Sequence, residues 1–247
     1  MDRSAFHRLF KSPGPVVTPV IHVDDLAQTL ANIGRAVRLG APGIFLINHD
    51  FPVEPFLPIL RAARAECPDV WLGVNFLAQP GRVAFPILGQ LQSEGCQIDA
   101  YWADDACMDE RQSTQTEAES IAAIRAASGW QGMYFGGVCF KKQRPVDPAL
   151  NAYSARLALP FMDVVTTSGV ATGQATDLSK ITDFRRGLGS APLAIASGVT
   201  PENAHHYAAD VDCFLVATGI NRPGDFYNID PARLTALLDL TRSYRAP

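Results

Sequence analysis

Eight short apolar runs punctuate the chain, and segments of helical period separate them. The runs cover residues 16–23, 43–48, 70–77, 98–103, 132–140, 162–167, 193–197 and 213–218. Most are continuously hydrophobic rather than alternating, the pattern of strands buried on both faces of a parallel sheet. Between them, residues 25–39 set Leu26, Leu30, Ile33 and Val37 on one face, and Gly40 follows as a stop. Residues 114–127 and 177–188 behave alike. Asp230-Pro231 opens a final helix with Leu234, Leu237, Leu238 and Thr241 on a shared face.

Two further helices carry prolines. Three lie between positions 51 and 58, and Pro86 is expected to begin or kink the helix it belongs to. Thr200-Pro201-Glu202 reads as an N-cap, a proline at the first helical position and an acid in the first turn, which predicts another helix after the seventh run. Eight alternations match a closed (β/α)8 TIM barrel better than an open sheet. No linker or low-complexity stretch divides the chain. Residues 1–247 are therefore expected to form one barrel domain, with residues 1–15 as an N-terminal extension.

Composition narrows the classes of function. Hydrophobic residues make up 47% of the chain, too many for disorder. The net charge of −4 and a pI near 5.7 lack the basic footprint of a nucleic-acid binder. The five cysteines are widely spaced with no CxxC, which argues against a disulfide framework or a structural zinc site. The N-terminus has no apolar core of a secretory signal, and no run reaches the roughly 20 residues of a membrane helix. The expectation is a cytoplasmic protein with no membrane insertion.

In a parallel barrel the chemistry gathers at the carboxyl ends of the strands. The polar residues just past each run are His22; Asn48, His49 and Asp50; Asn75; Asp104 and Asp105; Lys141 and Lys142; Ser168 and Thr172; Ser197-Gly198; and Thr218-Gly219. The last two pairs follow the seventh and eighth runs, the usual phosphate-binding loops of this architecture. Glycine lets backbone N–H groups approach an anion, and the hydroxyls add donors. The alternative is that both glycines only end their strands.

Lys141 at a strand end suits an enolate, a Schiff base or a phosphate. Adjacent residues on a strand point to opposite sides, so only one of Lys141 and Lys142 is expected to enter the mouth, and only one of Asp104 and Asp105. The expected roles are proton transfer by Asp104, Asp105 or His22, charge stabilisation by Lys141, phosphate binding by Ser197, Gly198, Thr218 and Gly219, and substrate binding by Asn48, Asn75, Ser168 and Thr172. No cofactor is required by this scheme. A metal-dependent hydrolase, its divalent metal held by His22, His49 and an Asp, is a weaker alternative, since no HxH or HExxH spacing is present.

Several stretches resemble the BtpA/SgcQ family of predicted barrel enzymes. They are Thr18-Pro19-Val20-Ile21-His22, Gly73-Val74-Asn75-Phe76-Leu77, Phe140-Lys141, Ser168-Gly169 with Thr172-Gly173, and Val216-Ala217-Thr218. The most specific is Ser197-Gly198-Val199-Thr200-Pro201-Glu202-Asn203, close to that family's SGVTPEN. The chain departs at Ile47, where the family has an acid, and at Gln79-Pro80, Gly136-Gly137 and Lys142. The resemblance implies a barrel related to ribulose-phosphate-binding enzymes. Together with the strand-end residues it predicts a small phosphorylated ligand and isomerase or aldolase/lyase-type chemistry. A non-catalytic barrel acting in assembly or regulation is the alternative, because one branch of the family is linked with photosystem I biogenesis and the other with sugar operons. A homo-oligomer is an open expectation, as barrel enzymes often associate.

Overall fold

The computed structural model describes residues 1–141 and 143–244; the Lys142 alternative therefore lies outside the described residues. Eight parallel strands close into a barrel in sequence order: β1 (Val16–His22), β2 (Ile44–Ile47), β3 (Leu72–Asn75), β4 (Ala100–Ala103), β5 (Met133–Gly137), β6 (Val164–Ser168), β7 (Leu193–Ala196) and β8 (Cys213–Val216). The register sets Val20 opposite Phe45, and the pairing of Val16 with Cys213 completes the circle. Every apolar run of the sequence contributes one strand, so the (β/α)8 architecture expected from them is the one found.

The runs are continuous because both faces are buried. Val20, Phe45, Trp102, Phe135 and Leu215 pack together inside the barrel. Their neighbours Ile21, Leu46, Tyr101, Tyr134 and Phe214 face outward into a shell made with the helices. That shell comprises α2 (Leu26–Arg38), α3 (Val53–Glu66), α4 (Gly81–Ser93), α5 (Thr116–Ser128), α6 (Asn151–Ala158), α7 (Leu178–Leu188) and α8 (Pro231–Ser243). Local chemistry starts several of them. Asp25 accepts from the Gln28 amide at 2.7 Å, and Asp230 accepts from Ala232 at 2.8 Å with Pro231 at the first turn.

Of the two placements expected for Pro86, the start of its helix is excluded and the interior is found, since α4 starts at Gly81; Pro58 likewise lies within α3. Both prolines are exposed, so the carbonyl groups left without a helical partner face the water side, where solvent satisfies them. One further expectation changes: the Thr200-Pro201-Glu202 signal does not start an α-helix. The segment forms turns and a single 3-10 turn, Ala204–His206. Asn203 is the reason: its Oδ1 accepts from the Thr200 amide and its Nδ2 donates to the Gly198 carbonyl, both at 2.8 Å, which folds the segment back onto the loop.

The first fifteen residues contribute a helix of their own, α1 (Arg3–Leu9), packed across the amino-terminal end of the barrel. Phe6 and Phe10 are buried there, against Phe135 and Trp71. Asp212, just ahead of β8, anchors the helix from below. Its fully buried carboxylate accepts from Arg3 Nε at 2.7 Å and Arg185 at 2.7 Å, and lies 2.8 Å from His7 Nε2. This end of the barrel is thus filled and tied, leaving the opposite end for a ligand. All five cysteines are free thiols. Among the described residues no helix is long and apolar enough to cross a membrane.

Candidate active site

A cavity of about 60 Å³ opens at the carboxyl ends of the strands. Val20, Ile47, Trp102 and Leu215 form its apolar floor. Its walls bring together His22, Asp104, Lys141, Thr172, Ser197, Gly198, Thr218 and Gly219. By volume it holds about four waters, the space of one phosphate-sized group.

The loops after β6, β7 and β8 interlock on one side. A Cβ on Gly198 would fall 1.9 Å from the Gln174 carbonyl oxygen, and one on Gly219 would fall 1.9 Å from the Val199 oxygen. Only glycine permits those approaches. Ser197 and Gly198 both adopt left-handed backbone, with φ of 77° and 74°, a conformation costly for serine and concentrated at functional loops. The Ser197 hydroxyl accepts from the Gly173 amide at 2.8 Å, so it holds the neighbouring loop in place.

The consequence is a row of available amides. Among the described residues, the backbone N–H groups of Gly198, Val199, Thr218 and Gly219 have no protein acceptor, although Gly198, Val199 and Gly219 are buried. Buried N–H groups are almost always paired. Three such buried groups, with the exposed Thr218 amide beside them, favour an anion that accepts from all four. Lys141 adds a positive charge beside them, its Nζ 3.2 Å from the Thr172 hydroxyl.

The other side carries acid–base groups. His22 Nδ1 lies 2.9 Å from the Phe226 carbonyl oxygen. A carbonyl only accepts, so Nδ1 bears the proton and Nε2 keeps its lone pair. Burial pushes the His22 pKa down to about 4. The Phe226 carbonyl opposes that shift, while His49 and Lys141 add to it. The ring is therefore neutral near pH 7. Asp104 accepts from Asn75 Nδ2 at 3.0 Å, which fixes its carboxylate at the rim.

Four residues with an expected role in catalysis or binding lie outside the cavity lining. Asn48 donates to the Phe51 carbonyl at 2.7 Å and accepts from the Leu77 amide at 3.1 Å, joining two loops. Asn75 serves Asp104. Lys141 does not end its strand as expected, since β5 stops at Gly137 and Lys141 lies in the turn beyond; Ser168 accepts from the Lys141 amide at 2.8 Å and so anchors that turn. Asp105 turns to the outer side, accepting from the Cys107 amide at 2.7 Å and from Gln143 at 3.1 Å. Of the two aspartates, Asp104 is the one lining the mouth, as alternation along the chain requires. Among the described residues, no group of three or more His, Cys, Asp or Glu side chains is arranged to hold a metal ion.

Sequence reasoning missed Phe226. It sits in the loop between β8 and α8, and its ring closes the mouth over His22 and His49. Tyr227 latches the same loop, donating to Asp50 Oδ2 at 2.6 Å. The available signal was an aromatic pair set in a run of turn residues, Pro223-Gly224-Asp225-Phe226-Tyr227.

No protein-family model matches the chain, and no curated protein matches it. Solved structures do. Tryptophan synthase subunit alpha from Legionella pneumophila str. Paris is 15% identical with a TM-score of 0.66, over 99% of this chain and 100% of that one. The 2-keto-3-deoxy-6-phospho-gluconate aldolase of Zymomonas mobilis is 14% identical with a TM-score of 0.61, over 100% and 98%. Phosphoribosyl anthranilate isomerase from Thermus thermophilus is 16% identical with a TM-score of 0.55, over 90% and 96%. At these identities the likeness establishes the TIM-barrel fold shared along nearly the whole chain.

Proposed function

We propose that this chain is an enzyme acting on a small phosphorylated metabolite, with isomerase or aldolase/lyase-type chemistry. The observation that carries the reading is the row of four unpartnered amides at Gly198, Val199, Thr218 and Gly219, beside Lys141 and opposite Asp104 and His22. Two supports stand beside it. The SGVTPEN-like stretch builds one wall of this cup. The similar structures include a phosphoribosyl anthranilate isomerase and a 2-keto-3-deoxy-6-phospho-gluconate aldolase, which favours a place among the ribulose-phosphate-binding barrels.

In this reading the phosphate accepts from the four amides and fixes the substrate across the mouth. Asp104 removes a proton from carbon next to a carbonyl group. Lys141 faces the oxygen that gains negative charge, where its ammonium lowers the energy of the enolate. His22, neutral with its lone pair on Nε2, accepts a hydrogen bond from a substrate hydroxyl.

Calorimetric titration with inorganic phosphate tests the binding half. Thr218 is exposed, so Thr218→Glu adds a carboxylate at the cup without disturbing the core. The variant is expected to bind phosphate at least tenfold more weakly than the wild type; equal affinities would remove the phosphate reading. A turnover screen over sugar phosphates tests the catalytic half. Turnover lost in Lys141→Ala is the expected outcome. Binding without turnover, unchanged in Lys141→Ala, would support the non-catalytic alternative instead.

A further inference from the structure

A second cavity, of about 350 Å³, lies beside the mouth, between the loops after β5 and β6 and the start of α7. Lys141 lines both cavities. The outer one joins apolar surface at Phe140, Val146 and Val170, the last 84% exposed, to the cations Arg144 and Lys180 and to Asp177.

Lys180 stands out among these groups. Its Nζ donates to the carbonyl oxygens of Cys139 at 2.5 Å and Ser168 at 2.7 Å, and among the described residues no carboxylate pairs with it. Arg144 is different, because Asp109 and Glu110 already neutralise it. A largely buried ammonium served by two neutral carbonyls and by the face of Phe184, 5.8 Å from its ring centroid, lacks the full counter-charge that offsets its desolvation. Burial accordingly holds the Lys180 pKa below the usual lysine range. Two of its three hydrogens are engaged, so one remains for a ligand. A single donor with a single positive charge matches a carboxylate better than a second phosphate.

Size points the same way. The mouth takes one phosphate-sized group, whereas the outer cleft is several times larger. We infer that the cleft receives a carboxylate on the same ligand whose phosphate occupies the mouth, with Lys180 as its counter-charge and Val146 and Val170 against the carbon skeleton. The inference rests on the phosphate reading of the mouth and narrows it to phosphorylated carboxylic acids.

The test uses two probe series of two to six carbons: ω-phosphonocarboxylates, and alkylphosphonates of the same length without the carboxylate. In wild type, at least one length is expected to gain about tenfold or more from its carboxylate, the worth of one charge-assisted hydrogen bond. Lys180→Met should abolish that gain while leaving alkylphosphonate affinity unchanged. Lys180 also ties the loop after β5 to the end of β6, so Val170→Asp on the exposed rim is the second variant; its charge should remove the gain by repulsion. Phosphonates that bind with no gain at any length, or a gain that survives both variants, would overturn the inference and leave the mouth intact. Failure of both series to bind would instead remove the phosphate reading, and this inference with it.

Discussion

Phe226 lies flat on His22, with ring centroids 3.8 Å apart and planes 17° from parallel, while its own carbonyl oxygen holds His22 Nδ1 at 2.9 Å. One residue therefore both covers the imidazole and fixes its tautomer. Covering removes water and disfavours the charged ring; the hydrogen bond leaves Nε2 as the basic atom facing the mouth.

Phe226→Ala should uncover His22 and keep the backbone carbonyl. The His22 pKa is then expected to climb from about 4 toward the ordinary 6.5, because desolvation is its largest cause. Histidine NMR titration of wild type and variant measures it. A His22 that still titrates near 4 in the variant would show that the ring of Phe226 does not control its hydration.

The same shift fixes a pH dependence. The folded pKa of about 4 lies below the unfolded value near 6.5, so between those values the unfolded chain binds a proton that the folded chain does not. Stability attributable to His22 is present above pH 6.5 and falls as pH drops toward 4, by roughly 3 kcal/mol in total. His22→Gln keeps a donor for the Phe226 carbonyl and cannot titrate. Urea unfolding from pH 7 to pH 4 should show a shallower loss in the variant than in wild type.

Adjacent residues in the loop after β8 should respond in opposite ways. Gly219→Ala places a methyl group 1.9 Å from the Val199 oxygen and should cost about 2–4 kcal/mol. Thr218→Ala, on the exposed neighbour, should change stability by about 0.5 kcal/mol or less. Chemical denaturation separates the two, and similar losses at both positions would contradict the interlocked-loop description.

At the far end of the barrel, Asp212→Asn leaves Arg3, His7 and Arg185 without their shared carboxylate. Removing one partner of a buried ionic cluster typically costs about 3–5 kcal/mol. Helix α1 is expected to loosen first, seen as earlier proteolytic cleavage ahead of Val16 together with a lowered Tm.

The barrel was legible because burial on both faces writes each strand as an uninterrupted apolar run, and eight such runs close. The positions of His22, Asp104, Lys141, Gly198 and Gly219 followed from the rule that polar residues past those runs share one rim. Asn48 and Ser168 obeyed the same rule yet are engaged with backbone groups of neighbouring loops, contacts made only once the chain is folded. The helix signal at Thr200 was locally sound, since Glu202 does donate its amide to the Thr200 hydroxyl at 3.2 Å. Asn203 overrode it with two bonds to the loop. Phe226 and Lys180 left no periodic trace: one acts from an irregular loop, and the other matters through the missing counter-charge.

A crystal grown in phosphate shows whether the cup formed by the loops after β7 and β8 holds an anion. One anion is expected within hydrogen-bond distance of the amides of Gly198, Val199, Thr218 and Gly219, with Lys141 beside it. A well-ordered cup containing water alone at saturating phosphate, or an anion bound only elsewhere on the molecule, would contradict the phosphate reading.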